Sequence, residues 1–207
     1  SAAAISCMSL TATARGDRKA TMLRIGMIGV GRWGKNHLRI LTQMKDVRVV
    51  SVFDTHEKSR AFVKQSFPGV TLAGSVTSLI DSCDAVVVAT PSSLHGKLAT
   101  VTLQRRKHVF VEKPLATTFA EAKSVVKLAA RQKRVLQVGH LLLYHPAISW
   151  LKKYLGRKEL GRPLYMYSQR VNLGVVRSDE NVVSSLATHD ISVCLHLLNE
   201  FPDRVIC

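Results

Sequence analysis

The chain is expected to fold as an α/β protein, a parallel sheet flanked by helices and followed by an incomplete α+β unit. Three observations predict this. Leu23 to Asn36 reads as an apolar strand running through closely spaced glycines into a helix. A second apolar strand, Val47 to Phe53, ends in an acid, Asp54. Short apolar runs then alternate with amphipathic segments as far as Val138, the pattern of strand-helix units wound into one sheet.

In the first unit, Leu23, Ile25, Met27, Ile28 and Val30 form an almost wholly apolar strand, as expected of one covered on both faces. Gly29, Gly31 and Gly34 follow at G-x-G-x-x-G spacing, with Arg32 and Trp33 between the last two. The first glycine permits the tight turn, the second lets backbone approach a pyrophosphate, and the third lets helix and strand pack closely. The helix carries Trp33, His37, Ile40, Leu41 and Met44 at roughly 3.6-residue spacing. Its free N–H groups and the positive end of its dipole favour an anion.

Asp54 lies about 20 residues beyond the glycines, where a carboxylate accepts hydrogen bonds from ribose hydroxyls and repels a 2′-phosphate. NAD is therefore expected over NADP, although the basic neighbours Arg32 and Lys58 suit a phosphate. The alternative is that Asp54 only opens the turn before the next helix. Taken together, these features predict a Rossmann-type dinucleotide-binding domain over residues 22–139.

The remaining elements of that domain follow in order. Glu57 to Ser66 is expected to be a helix, broken by Pro68-Gly69; Val76 to Ile80 is a short helix, and Ala85 to Ala89 a buried strand. Thr90-Pro91-Ser92-Ser93 ends that strand, at the carboxyl edge where open α/β sheets bind ligands, so Thr90 and Pro91 are candidate cofactor contacts. His95 opens the helix Leu94 to Arg105; by itself, a histidine at a helix start is usually a polar surface residue. The strand His108 to Val111 runs into Glu112-Lys113-Pro114. There Glu112 can orient its neighbours, and Lys113 is either a proton-exchanging group beside a nicotinamide or half of a surface ion pair. Thr118 to Arg131 is an amphipathic helix and Val135 to Val138 the last strand of the domain.

Residues 140–207 are expected to form a partial substrate domain. Gly139-His140 marks the crossover, and Leu141 to Pro146 leads to a helix from Ala147 to Leu155. Leu164 to Asn172 alternates as the strand of a second sheet, and a helix covers roughly Ser184 to Asn199, with His189 and His196 on one face. Phe201 to Cys207 would be a further connection and strand.

Composition bounds the function. At 207 residues and 46% hydrophobic content the chain can hold a packed domain and part of another. No apolar run reaches the roughly 18 to 20 residues of a membrane span, so no membrane association is expected. The net charge of +16 is spread along the chain, which favours a solvated surface and weak polyanion affinity over a dedicated nucleic-acid groove, and it also suits an acidic or phosphate-bearing substrate. Cys7, Cys83, Cys194 and Cys207 are too far apart for a C-x-x-C motif, so no metal site and a reducing, cytoplasmic setting are expected. Residues 1–21, rich in Ala, Ser and Thr with Arg15, Arg18 and Lys19, read either as an organellar transit-like leader or as an extension upstream of a product starting at Met22.

With the glycine loop stand three further ordered motifs: Ala89-Thr90-Pro91 with His95, Glu112-Lys113-Pro114-Leu115-Ala116, and Gly139-His140-Leu141-Leu142 to Tyr144-His145-Pro146. From about Leu23 to its end, the chain resembles the glucose-fructose oxidoreductase/inositol dehydrogenase/MocA family of nicotinamide-dependent sugar dehydrogenases. The resemblance implies that Lys113 lies at both nicotinamide and substrate, and that Glu112 and His95 belong to the cofactor side. Asn172-Leu173-Gly174, Arg177 to Asn181 and Ser185 to Ser192 further resemble the UDP-N-acetylglucosamine and UDP-N-acetylglucosaminuronate 3-dehydrogenases. This implies a sugar or UDP-sugar substrate, with Arg170 and Asn172 joining Lys113 and His189 around it. Lys113 and His189 become the expected catalytic pair, because many relatives place an Asp where Ser185 stands, and Thr188 replaces a family Pro. The family's second domain carries an extended antiparallel sheet that also forms its oligomer interface. That sheet is scarcely begun by Cys207, so the chain reads as a fragment, with a homo-oligomer expected only where the full sheet is present.

Overall fold

The computed structural model describes residues 22–159, 161–171 and 181–206. The sheet has six parallel strands: β1 (Leu23–Ile28), β2 (Val47–Phe53), β3 (Thr71–Leu72), β4 (Ala85–Val88), β5 (His108–Val111) and β6 (Leu136–Val138). Their spatial order is β3-β2-β1-β4-β5-β6. The chain winds outward from β1 in one direction and then returns to β4 to wind in the other. The crevice between β1 and β4, at their carboxyl ends, is therefore the topological switch point where such sheets bind ligands.

Helices cover both faces. Ile25, Met27, Val30, Val49, Val52 and Val87 pack with Leu38 of α1 (Arg32–Leu41) and Val63 of α2 (Glu57–Ser66). Ile28, Val86, Val88, Val109 and Val111 pack on the other face with α3 (Val76–Asp81), α4 (His95–Gln104) and α5 (Phe119–Gln132). Alternate residues of the Val86-Val87-Val88 run thus serve opposite cores, which explains why the strand is apolar throughout. At Gly26 a β-carbon would lie 2.6 Å from Leu79 and 2.9 Å from the Cys83 sulfur, so α3 can sit close against β1.

Local signals set the helix starts. The Ser75 hydroxyl accepts from the Ser78 N–H at 3.1 Å and the Ser78 hydroxyl from the Ser75 N–H at 3.2 Å, a reciprocal cap on α3. Thr118 caps α5 through the Glu121 N–H at 3.2 Å. By contrast, α1 starts at Gly31 with no side-chain cap and no acid in its first turn. Its first N–H groups are left for a ligand.

Beyond the sheet, a 3-10 turn (Leu141–Tyr144) leads into α6 (Pro146–Gly156), and a π-helical turn (Val183–Ala187) leads into α7 (Thr188–Leu198). The Lys152 ammonium of α6 donates to the carbonyls of His196 at 2.5 Å and Leu197 at 3.2 Å, fastening α6 to the negative end of α7.

Some expectations fail. Residues 164–171 of the anticipated strand Leu164–Asn172 form no strand, and Asn172 lies outside the described residues. Alternation supplies two differently dressed faces but no ladder partner, and Leu164, Tyr165 and Val171 stay exposed. Phe201 to Ile206 likewise forms no strand, and Cys207 is outside the described residues. β3, two residues pairing with Ser51 and Val52, was not anticipated, because a run that short carries no periodicity. The segment 1–21 and residues 177–180 also fall outside the described residues. Among the described residues no helix is long and apolar enough to cross a membrane.

Candidate active site

The glycine loop lies at the carboxyl end of β1. Gly29 has φ +91°, and a β-carbon there would sit 2.6 Å from the Ala89 carbonyl oxygen at the end of β4. A β-carbon on Gly34 would run into the Gly29 carbonyl, so α1 meets β1 without a side chain between them. Gly31 differs, with nothing within 4 Å of its β-carbon position. The first and third glycines are thus demanded by packing. The second faces open space beside an uncapped helix start, as a bound pyrophosphate requires.

Asp54 is buried and engaged on both sides. One carboxylate oxygen accepts from the Val30 N–H of the glycine loop at 2.7 Å, the other from the His56 N–H at 2.7 Å. The second contact is a turn-opening hydrogen bond; the first ties the end of β2 to the glycine loop. Each oxygen keeps acceptor capacity for a ribose hydroxyl. The Arg60 guanidinium donates to the carbonyls of Asp54 at 3.2 Å and Thr55 at 2.6 Å, steadying this loop from behind. Arg32, Trp33 and Lys58 are exposed around it.

His95 departs from the surface role its position implied. It is 1% exposed, with Nδ1 2.6 Å from the Pro114 carbonyl and Nε2 2.8 Å from the Thr90 carbonyl. With both ring nitrogens engaged it has none to offer a cofactor; instead it clamps the loops after β4 and β5 together, setting Thr90 and Pro91 relative to Lys113-Pro114.

At the end of β5 two ionisable groups missed in the sequence join Glu112 and Lys113. His37 of α1 donates through Nε2 to Glu112 Oε1 at 2.6 Å, and its ring meets Phe110 edge-on. Glu112 Oε2 accepts from the Lys113 N–H at 3.3 Å and lies against Gly139, where a β-carbon would be 3.0 Å away. His140 follows directly. The sequence signal for His37 was a polar residue within an apolar helical stripe, which needs a buried partner; for His140 it was a histidine at the carboxyl end of a parallel strand.

Lys113 crosses to the other side of the crevice. Its ammonium donates to the Ser185 carbonyl, in the π-helical turn before α7, at 2.8 Å. This brings together residues 72 positions apart and places Lys113 within electrostatic reach of His189. The His189 imidazole is held below its ordinary pKa, first by burial and then by the positive charges of Lys113 and Arg170. His140 is likewise lowered, chiefly by burial, with the Glu112 charge opposing and that of Lys113 reinforcing. Both rings have a buried Nδ1 without a hydrogen-bond partner. Arg170 turns to Asp190, donating to its carboxylate at 2.6 Å beside the Ser168 hydroxyl at 2.7 Å. That pair holds the Asp190 carboxyl below its usual range.

Residues 23–140 match the family described as "Oxidoreductase family, NAD-binding Rossmann fold". The chain belongs to the Gfo/Idh/MocA oxidoreductase family. It is 32% identical over 186 residues to the UDP-N-acetylglucosamine 3-dehydrogenase of Acidithiobacillus ferrooxidans, covering 87% of this chain and 56% of that protein. Over 184 residues it is also 32% identical to the inositol 2-dehydrogenase of Mycolicibacterium smegmatis, covering 86% and 53%. The solved structure of myo-inositol dehydrogenase from Lactobacillus casei in complex with NAD(H) and myo-inositol is 28% identical, with a TM-score of 0.80, over 86% of this chain and 55% of that one. The chain therefore spans about half the length of these relatives. Its parallel sheet is that of an NAD-binding Rossmann domain, and the open space at Gly31 and the spare acceptor capacity of Asp54 fit that cofactor.

Proposed function

We propose that the chain carries the NAD site and part of the substrate site of an NAD-dependent dehydrogenase that oxidises a secondary hydroxyl of a sugar or UDP-N-acetylhexosamine-type nucleotide sugar. Residues 22–139 form the dinucleotide unit and 140–207 the beginning of the substrate unit. The observation that carries the reading is the Lys113 ammonium reaching the Ser185 carbonyl at 2.8 Å, which joins the end of β5 to the helix bearing His189.

Gly29, Gly31 and Gly34 shape the pyrophosphate cradle, Asp54 takes the ribose hydroxyls, and Thr90, Pro91 and Glu112 line the approach to Lys113. Bound NAD supplies the hydride acceptor. The protein must then remove the hydroxyl proton. His189 suits this task, because burial and nearby cations keep its ring neutral near pH 7 and its Nδ1 has no protein partner. Lys113, anchored on a backbone carbonyl, orients the hydroxyl and stabilises the developing alkoxide charge. Glu112 fixes the loop through His37, and His95 fixes it through Pro114. The preference for NAD over NADP rests on Asp54, whose charge opposes a 2′-phosphate.

A simple polyol substrate is the second reading, favoured by equal identity to the inositol 2-dehydrogenase. The test is NADH formation from UDP-N-acetylglucosamine and from myo-inositol. Turnover of the nucleotide sugar supports the first reading, turnover of myo-inositol alone supports the second, and turnover of neither, with NAD bound, leaves a cofactor-binding module without dehydrogenase activity.

A further inference from the structure

We propose that His140 is a third substrate-contacting residue, whose imidazole Nδ1 hydrogen-bonds a hydroxyl of the substrate next to the carbon being oxidised. The inference rests on the dehydrogenase reading above. Three observations carry it.

The first is place. β5 and β6 pair in register at Val111 and Val138, so Gly139-His140 leaves the sheet beside Glu112-Lys113. The close approach of Glu112 to Gly139 shows how tightly the two segments run together. The second is fixity. The His140 N–H donates to the Val138 carbonyl at 2.8 Å and the Leu141 N–H to the Gly139 carbonyl at 2.9 Å. With φ −78° and ψ 69°, His140 is the central residue of an inverse γ-turn, which sets the direction of its side chain. The third is the unsatisfied nitrogen. Among the described residues the only buried side-chain polar atoms without a partner are Nδ1 of His140 and Nδ1 of His189. Buried polar atoms are nearly always hydrogen-bonded, so two orphans in one locale mark a place where a ligand completes the bonding.

The chemistry selects the kind of group. Burial keeps the ring neutral, and a neutral imidazole nitrogen either donates or accepts. A hydroxyl matches both possibilities, whereas a phosphate or carboxylate would need a fixed donor. With Lys113 and His189 approaching from β5 and α7, His140 supplies a third direction from β6. Three contacts set the face of a sugar ring, so His140 determines which hydroxyl is presented.

The test uses the whole chain, its imidazoles labelled with nitrogen-15, saturated with NAD and titrated with UDP-N-acetylglucosamine or myo-inositol. The Nδ1 resonances of His140 and His189 should both move with one of these probes. His140→Phe, which keeps the ring and removes both nitrogens, should weaken binding of that probe about 10-fold, the size of one lost hydrogen bond to a buried group. NAD affinity should stay within about two-fold, and His140→Asn should recover part of the loss by placing an amide near the Nδ1 position. If His189 responds while His140 does not, or if His140→Phe binds the probe as the wild type does, the assignment of His140 is overturned and the dehydrogenase reading survives. If neither probe binds the NAD-loaded chain, the functional reading falls and His140 with it. The resonances of the unaltered chain decide the matter even where His140→Phe fails to fold.

Discussion

Replacing Asp54 with Ala tests the proposed ribose contact and the fold together, because the carboxylate assigned to the ribose also holds the Val30 and His56 N–H groups. The substitution strands two N–H groups, of Val30 and His56, each now bonded at 2.7 Å. Leaving a buried donor unsatisfied costs about 1–3 kcal/mol. Water can reach the His56 side more readily, since His56 is exposed, so the total should fall near the low end, about 2–3 kcal/mol. At about 2–4 °C per kcal/mol for a chain of this size, Tm should drop by about 4–12 °C. Loss of the ribose hydrogen bonds to a charged acceptor, about 1.5–3 kcal/mol, should weaken NAD binding by roughly 10- to 100-fold. NADP should lose less, because the repulsion of its 2′-phosphate disappears with the charge, so the ratio of the two affinities narrows. Thermal unfolding gives the first number. Quenching of Trp33, which is 46% exposed beside the glycine loop, gives the second. A variant with unchanged Tm would refute the tether between loop and strand. An unchanged NAD-to-NADP ratio, or a wild type that prefers NADP, would refute the ribose role.

The glycines should separate by function: Gly34→Ala should destabilise or prevent folding by driving a methyl into the Gly29 carbonyl, whereas Gly31→Ala should leave Tm within about 1 °C yet weaken NAD binding, as titration and melting together will show. In a turnover-competent form, Lys113→Met and His189→Ala should each lower kcat by roughly 10²-fold with NAD affinity nearly intact; unchanged kcat in Lys113→Met would remove it from the mechanism. His108, His140 and His189 are all held below their ordinary pKa, chiefly by burial. A folded-state value below the unfolded one means that the unfolded chain binds more protons. The stability they contribute is thus complete above about pH 6.5 and is lost as pH falls through their lower folded values, so urea midpoints should fall from about pH 7 to pH 5; a flat profile would contradict it.

The chain's own order of residues determined the sheet and the cofactor cradle. Apolar runs, glycine spacing and caps such as Ser75 and Thr118 act between neighbours a few positions apart, so their physics is written locally and five of the six strands were legible. The sixth, Thr71–Leu72, was too short for any pattern. Tertiary structure decided what depends on contacts between distant segments. A carboxylate 24 positions from Val30 becomes its hydrogen-bond partner, and a histidine in a helical stripe meets Glu112, 75 positions away. Folding likewise sinks His95 between two loops that no helix-start signal connects, because burial is a property of the whole packed sheet. The same reason explains the failed strand at 164–171: alternation specifies two faces, but a strand exists only where another lies beside it to receive its hydrogen bonds.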